Sequence, residues 1–212
     1  ALPRGAMLAA RVDAPTARAL AAAHGLWVAV ENGAQLHVLA GTDAAVDSAE
    51  AALRASGGRP RRLPIDRAYH TPMMGGARDE MHARLEGVAL SPPTMTMACD
   101  GTGGWMDAAT ATDREYWAGH VAAPVRWSAI ADALAADRSG ALVVEVGAGG
   151  TLAPLLADGA IATLRRPRAD AEGGCADEEA FASALGELWA AHVPVDWARV
   201  HARTERRRVA LP

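Results

Sequence analysis

Residues 26–40, Leu26-Trp27-Val28-Ala29-Val30-Glu31-Asn32-Gly33-Ala34-Gln35-Leu36-His37-Val38-Leu39-Ala40, hold two apolar runs either side of an Asn-Gly pair. Valine and aromatic residues fit a pleated, half-buried surface, and Asn-Gly tolerates the positive φ angles of a tight hairpin turn. The stretch reads as an antiparallel hairpin, with strands over residues 26–30 and 35–40 and a turn at Asn32-Gly33. Working outward, residues 6–12 read as a strand, and Asp13 is an N-cap candidate followed by Pro15 in the first turn. Residues 16–24 form an alanine-rich helix that Gly25 closes. Beyond the hairpin, Gly41-Thr42-Asp43 caps a helix over residues 44–55, with Val46, Ala49 and Leu53 on one face. Gly57-Gly58 stops that helix, and residues 61–65 read as a fourth strand. The order β-α-β-β-α-β is that of a ferredoxin-like split βαβ domain.

From there the pattern is looser. Tyr69-His70-Thr71-Pro72 reads as a loop, residues 77–87 as a helix and residues 94–99 as a short strand entered through Pro92-Pro93. Asp100-Gly101-Thr102-Gly103-Gly104 is a loop, Asp113 caps a short helix bearing Tyr116 and Trp117, and residues 125–136 are helical. Residues 141–146 are apolar and rich in valine, which suits a buried strand. Gly147-Ala148-Gly149-Gly150 turns from it into a helix over residues 152–157, and residues 161–164 read as a last short strand. Residues 167–177 are polar and glycine-containing, hence a linker. An amphipathic helix over residues 178–191 places Phe181, Leu185, Leu188 and Trp189 on one face. The tail, residues 193–212, carries Trp197 and Arg206-Arg207-Arg208. No internal repeat is present.

The 212 residues suit one medium domain or two small ones. A net charge of −4 and a pI near 6.0 supply no basic excess to draw in nucleic acid or an anionic membrane. No apolar run approaches the ~20 residues that span a bilayer. Cys99 and Cys175 lie far apart and neither sits in a Cys-x-x-Cys pair, so the expected compartment is the reducing cytoplasm. The opening Ala-Leu-Pro-Arg-Gly has no signal-peptide pattern and no initiator Met, and reads as a chain begun inside a longer one.

Few motifs carry chemistry on their own. The histidines are scattered without metal-ligand spacing. Gly147-Ala148-Gly149-Gly150 follows a strand and opens a helix as a phosphate-binding turn would, but Leu152 stands where the third glycine of Gly-x-Gly-x-x-Gly belongs. None of Ser48, Ser56, Ser91, Ser128, Ser139 and Ser183 sits in the Gly-x-Ser-x-Gly elbow that exposes a nucleophile at a strand-to-helix turn. His70 is the best single candidate: a loop histidine can serve as a general base because its ordinary pKa lies near working pH. Read from the residues alone, a surface histidine in a turn is the favoured account of it over a catalytic one. Trp105, Trp117, Trp127, Trp189 and Trp197 are spaced for packing rather than for a ligand platform, and the triple arginine reads as a solvated tail.

Taken in order, the motifs resemble a known family. Gly5-Ala6-Met7-Leu8-Ala9, Val30-Glu31-Asn32-Gly33 and Val38-Leu39-Ala40-Gly41 resemble the small subdomain of malonyl-CoA:acyl-carrier-protein acyltransferases. Arg67-Ala68-Tyr69-His70-Thr71-Pro72-Met73-Met74 is similar to the family's Ala-Phe-His-Ser-Pro-Leu-Met segment. Tyr116-Trp117 with Pro124-Val125-Arg126-Trp127, and Glu145-Val146-Gly147-Ala148-Gly149-Gly150-Thr151-Leu152, resemble segments of modular type I polyketide synthases. Leu185-Gly186-Glu187-Leu188-Trp189, Val195-Asp196-Trp197 and Arg208-Val209-Ala210-Leu211-Pro212 look like the linker that follows the acyltransferase.

The resemblance implies an α/β fold in three parts. These are a ferredoxin-like small subdomain (1–66), the C-terminal part of an α/β-hydrolase-like large subdomain (67–166) and the post-acyltransferase linker with its helix (167–212). It implies a serine–histidine mechanism that moves a malonyl-type group from CoA to the phosphopantetheine thiol of an acyl carrier protein. His70 would be the base, Ala68 and Tyr69 would contact substrate, and Gly147, Ala148 and Gly149 would orient the histidine ring. No bound cofactor is implied beyond acyl-CoA and the carrier's phosphopantetheine. The implied partners are the carrier protein, the ketosynthase and linker regions of the same megasynthase, and an N-terminal acyltransferase half, with no nucleic acid and no membrane. That N-terminal half would hold the Gly-His-Ser-x-Gly serine, the arginine for the malonyl carboxylate and the oxyanion hole. By itself the chain is expected to be inactive. Ala148 and Tyr69 replace a proline and a phenylalanine of the family pattern. The Ala-aromatic-His order is closer to malonyl than to methylmalonyl selectors, which carry Tyr-Ala-Ser-His. The alternative is a non-catalytic remnant that serves as a docking or scaffold module.

Overall fold

The structure, a computed structural model, describes residues 2–137, 141–147, 149–156, 159–164 and 176–202. The chain divides into two compact units, Ala1–Ser139 and Gly140–Pro212.

The first unit opens with β1 (Ala6–Ala10), α1 (Ala14–His24), β2 (Trp27–Gly33), β3 (Leu36–Gly41), α2 (Asp43–Ala55) and β4 (Arg61–Arg62). The strands form one sheet in the order β2-β3-β1-β4, antiparallel throughout. This is the ferredoxin-like arrangement expected from the element order. Caps fall where the residue types place them. Asp13 accepts from the Thr16 N–H, Thr42 accepts from the Ala45 N–H, and Gly25 closes α1 at φ 67°.

Side chains alternate across a strand, so the sheet has two faces. On one, Leu8 and Leu39 stand opposite each other and pack with Ala17, Ala21, Val46, Ala49 and Leu53 of α1 and α2. On the other, Met7, Ala29, Val38 and Ala40 pack with Ala68, Leu63 and Met73. The segment after the sheet thus folds back to cover the face that the helices leave open.

The hairpin turn differs from the sequence reading. β2 continues through Gly33, which pairs with Leu36, and the chain reverses at Ala34-Gln35. Register shifts between Val28 and Val30 and between Glu31 and Gly33 absorb the extra residues as irregularities in the ladder. No residue from 32 to 35 has a positive φ, so the conformational licence of Asn-Gly goes unused. β4 is also shorter than expected. Leu63 still donates to Met7 O (2.9 Å), but Pro64 has no N–H and Ile65 donates back to Leu63 O (2.9 Å), so the chain leaves the sheet. Arg62 ties β4 to α2 through Asp43 (2.5 Å) and Asp47.

After a 3₁₀ turn at Pro72–Met74 come α3 (Gly75–Arg84), the short hairpin β5 (Ala98–Cys99) and β6 (Gly104–Trp105), α4 (Ala108–Thr112) and α5 (Arg114–Gly119). A second 3₁₀ turn, His120–Ala122, leads to α6 (Trp127–Asp137). Residues 94–97, expected as strand, lie outside the ladder, which holds only Ala98↔Trp105 and Cys99↔Gly104.

The second unit contains β7 (Val144–Glu145) and β8 (Ile161–Ala162), paired in parallel, a 3₁₀ turn at Ala153–Leu155, α7 (Ala176–Ala190) and α8 (Trp197–Val200). The helix expected over residues 152–157 is that single turn, since Leu156 is already extended. In α7, Ala184 is buried while Phe181 and Trp189 remain exposed, so the expected apolar face is covered only in part. Of the linker expected over residues 167–177, residues 167–175 lie outside the described residues, as does the triple arginine, and Ala176 and Asp177 already belong to α7. No described helix is long and apolar enough to cross a membrane.

Candidate active site

The site is built where the segment after β4 crosses the second face of the sheet. Gly5 donates to Asp66 O (3.2 Å), and a Cβ at Gly5 would stand 2.7 Å from Gly41 O and 3.0 Å from Ala68. Only glycine lets the entry of β1, the end of β3 and Ala68 approach this closely. Ala68 is almost completely buried in that core, whereas Tyr69 is exposed. Thr71 is fully buried: its hydroxyl donates to Ala68 O (2.7 Å) and accepts from the Met73 N–H (3.3 Å). The loop is therefore clamped on both sides of His70.

His70 has φ 61°, a left-handed conformation that costs a residue with a Cβ roughly 1–2 kcal/mol. Its surroundings hold it there. The backbone N–H donates to Val121 O (2.9 Å), and ring Nδ1 lies 3.2 Å from His120 O and 3.1 Å from Ala123 O. Carbonyls only accept, so Nδ1 carries the hydrogen and, in the neutral ring, Nε2 carries the lone pair. A half-buried imidazole with Nε2 unprotonated is the form a general base needs.

The acceptor turn is itself anchored. Val125 donates to Ala29 O (2.9 Å) and accepts from the Glu31 N–H (2.8 Å), adding to the free edge of β2. Asp100 holds the same segment twice: its carbonyl accepts from the Arg126 N–H (2.9 Å), and its carboxylate takes His120 Nε2 (2.8 Å). The His120 ring meets the His70 ring edge-on, with centroids 5.6 Å apart. Nearby, Tyr116 packs with Cys99 and Met106, and burial, then its bond to Cys99, pushes its hydroxyl pKa upward. Trp117 Nε1 donates to Ala111 O (2.9 Å), which fixes the Tyr-Trp pair.

His70, Ala68 and Tyr69 are thus contiguous in the first unit. Gly147 and Gly149 belong to the second unit, and Ala148 lies outside the described residues. The Glu145 carboxylate organises that turn by accepting from the N–H groups of Thr151 (2.7 Å), Leu152 (3.1 Å) and Ala153 (2.7 Å). Sequence reasoning missed Asp100, His120 and Glu145. Of these only Glu145 had a usable signal, a carboxylate just before a turn whose N–H groups need acceptors. Among the described residues no group of three or more His, Cys, Asp or Glu is arranged to hold a metal ion.

No family model matches the chain. Polyketide synthase GfsA of Streptomyces halstedii is 33% identical over 195 residues, covering 88% of this chain and 2% of that protein. Erythronolide synthase EryA3 of Saccharopolyspora erythraea is 33% identical over 199 residues, covering 88% of this chain and 6% of that protein. The acyltransferase domain of the second module of the salinomycin polyketide synthase superposes with a TM-score of 0.80 at 30% identity, over 100% of this chain and 50% of that one. The acyl transferase domain of SpnD, solved in complex with 2-(pent-4-yn-1-yl)malonyl, superposes at 0.77 and 32% identity, over 90% and 47%. The chain spans about half the length of these solved domains and a small fraction of the curated synthases. It belongs to the acyltransferase domains of modular polyketide synthases.

Proposed function

We propose that this chain is the C-terminal part of an acyltransferase that moves a malonyl-type acyl group from CoA to the phosphopantetheine thiol of an acyl carrier protein, with His70 as general base. The observation that carries this reading is the binding of Nδ1 by His120 O and Ala123 O, which directs the Nε2 lone pair away from the protein's own carbonyls.

In the first half-reaction a serine hydroxyl attacks the thioester carbonyl. Its proton passes to Nε2 of His70 and then to the departing CoA sulfur. In the second, the carrier's thiol gives its proton to Nε2, its sulfur attacks the acyl-serine ester, and the proton returns to the serine oxygen. No serine of these 212 residues lies in a Gly-x-Ser-x-Gly elbow, so the nucleophile is assigned to a segment outside them. Ala68-Tyr69 before the histidine favours malonyl among the acyl units. Since Ala68 is buried, its part is to set the loop, and Tyr69 is the residue able to meet substrate. The cytoplasm and a megasynthase containing a ketosynthase complete the reading.

Two measurements test it. The 212-residue chain incubated with malonyl-CoA gives no acyl adduct by intact mass, and a stable adduct overturns the assignment of the nucleophile elsewhere. In the full domain, His70→Ala lowers transfer to carrier protein by about 10²–10⁴-fold, and unchanged transfer removes His70 from the mechanism.

A further inference from the structure

His70 makes its ring contact with carbonyl groups, which any residue could supply, so what matters is what holds those carbonyls in place. Three carbonyls accept from His70 within four positions of chain, those of residues 120 and 123 from the ring and that of residue 121 from the backbone N–H. The C-terminal end of this segment is secured by the backbone, through Val125 on β2 and Arg126 on Asp100 O. The N-terminal end follows α5 as a single 3₁₀ turn without a side-chain cap. There the attachment through a side chain is His120 Nε2 to the Asp100 carboxylate, at 2.8 Å. Both side chains are partly buried, and the His120 ring packs edge-on against the His70 ring. The hairpin that presents Asp100 is held closely: a Cβ at Gly101 would stand 3.1 Å from Tyr116, and one at Gly103 would stand 2.9 Å from Ala129.

We propose that Asp100 and His120 are a positioning pair: the carboxylate fixes the 120–123 turn, and through its carbonyls the turn fixes His70 in the Nδ1–H tautomer with Nε2 available as a base. A carboxylate that orients a working histidine is general chemistry. Here it acts one step removed, through a second histidine and a backbone carbonyl. Neither side chain bonds the His70 ring; the His120 ring packs edge-on against it. The catalytic consequence rests on the proposed role of His70, whereas the tautomer does not.

The test is ¹⁵N NMR of the 212-residue chain labelled at histidine, at a pH where the rings are neutral, with His70 assigned through His70→Gln. The unmodified chain shows His70 protonated at Nδ1 and bare at Nε2. Asp100→Ala and His120→Ala lose that preference, and His70 shifts toward the Nε2–H form that free imidazole prefers. His120→Gln, whose amide N–H can still donate to Asp100, retains it. His37 of β3 is the internal control, because its Nδ1 lies 2.9 Å from Val12 O in the segment between β1 and α1 and its signal reports an intact fold. A His70 that stays Nδ1–H in Asp100→Ala and His120→Ala overturns the proposal. Loss of the His37 signal in both variants also overturns it, since the pair is assigned a local task. In the full domain, Asp100→Ala lowers kcat/KM by about 10–100-fold, with His120→Gln close to the unmodified value. A lost tautomer with unchanged transfer rejects His70 as the base and leaves the positioning standing.

Discussion

The four-stranded sheet of the first unit and the parallel strand pair of the second are both made from apolar, strand-forming sequence, yet they end in different states. In the sheet, Leu8 and Leu39 are completely buried and two separate clusters cover its faces. In the pair, the ladder is two residues long on each side, and Val146 is 85% exposed beside Leu142 at 48%. The reason lies in connection length. Antiparallel neighbours are reached through a tight turn, and α1 and α2 come with the strands they cover, so about 60 residues complete the structure. Parallel neighbours need a crossover of about a dozen residues or more for each strand added. Unpaired strand edges and uncovered apolar faces are what remain when such neighbours are not at hand.

Truncating matched apolar side chains should separate the two regions most widely. Leu39→Ala is expected to cost about 2–5 kcal/mol, read from the urea midpoint of the first unit. Val146→Ala is expected to stay within about 0.5 kcal/mol. Equal effects would mean that exposure does not separate the two regions. Next in size is Gly5→Ala, at about 1–3 kcal/mol, because the added Cβ meets the Gly41 carbonyl and the Ala68 backbone rather than the end of a flexible side chain. Gly75→Ala is its contrast. That position is helical with open space around the Cβ, so stability should rise by about 0.4–1 kcal/mol. Gly5→Ala should also disturb the His70 ¹⁵N signals, since Ala68 and Thr71 carry the displacement into the loop.

These effects divide along the same line as legibility in the sequence. Asp13, Gly25 and Thr42 act through their own local backbone, and the structure uses each as its type demands. Asn32-Gly33 shows the limit of such reasoning. The pair permits a tight turn, but the ladder with β3 decides the register and places the reversal two residues later. His70 could be singled out by its loop and the motif around it. The acceptors that orient it could not, because a carbonyl has no residue identity and Asp100 lies 20 positions from His120. Of residues 141–146, expected as a buried strand, only Val144–Glu145 pair, and Leu142 and Val146 stand exposed, because pairing and cover depend on neighbours that no local pattern encodes.

The caps of the two regions also differ in what they contribute. Glu145 takes three successive N–H groups, so Glu145→Ala should cost the second unit about 0.5–2 kcal/mol. The loss should appear as faster hydrogen exchange at Thr151, Leu152 and Ala153 and leave the first sheet untouched. The smallest effect belongs to Asp13 at the start of α1. Its bond from Thr16 holds the carboxyl below its ordinary value of 3.8, so the folded state binds this proton less readily than the unfolded state does. The stabilisation is then fully present above pH 3.8 and is lost as the pH falls through the lower folded value. Asp13→Ser keeps an acceptor for Thr16 and removes the titrating group. In an acid titration the variant should lose part of the pH slope of the first unit and nothing in the signals of Val144 and Ile161. An unchanged slope would mean that the Thr16 bond does not hold the Asp13 carboxyl below its ordinary value in the folded chain.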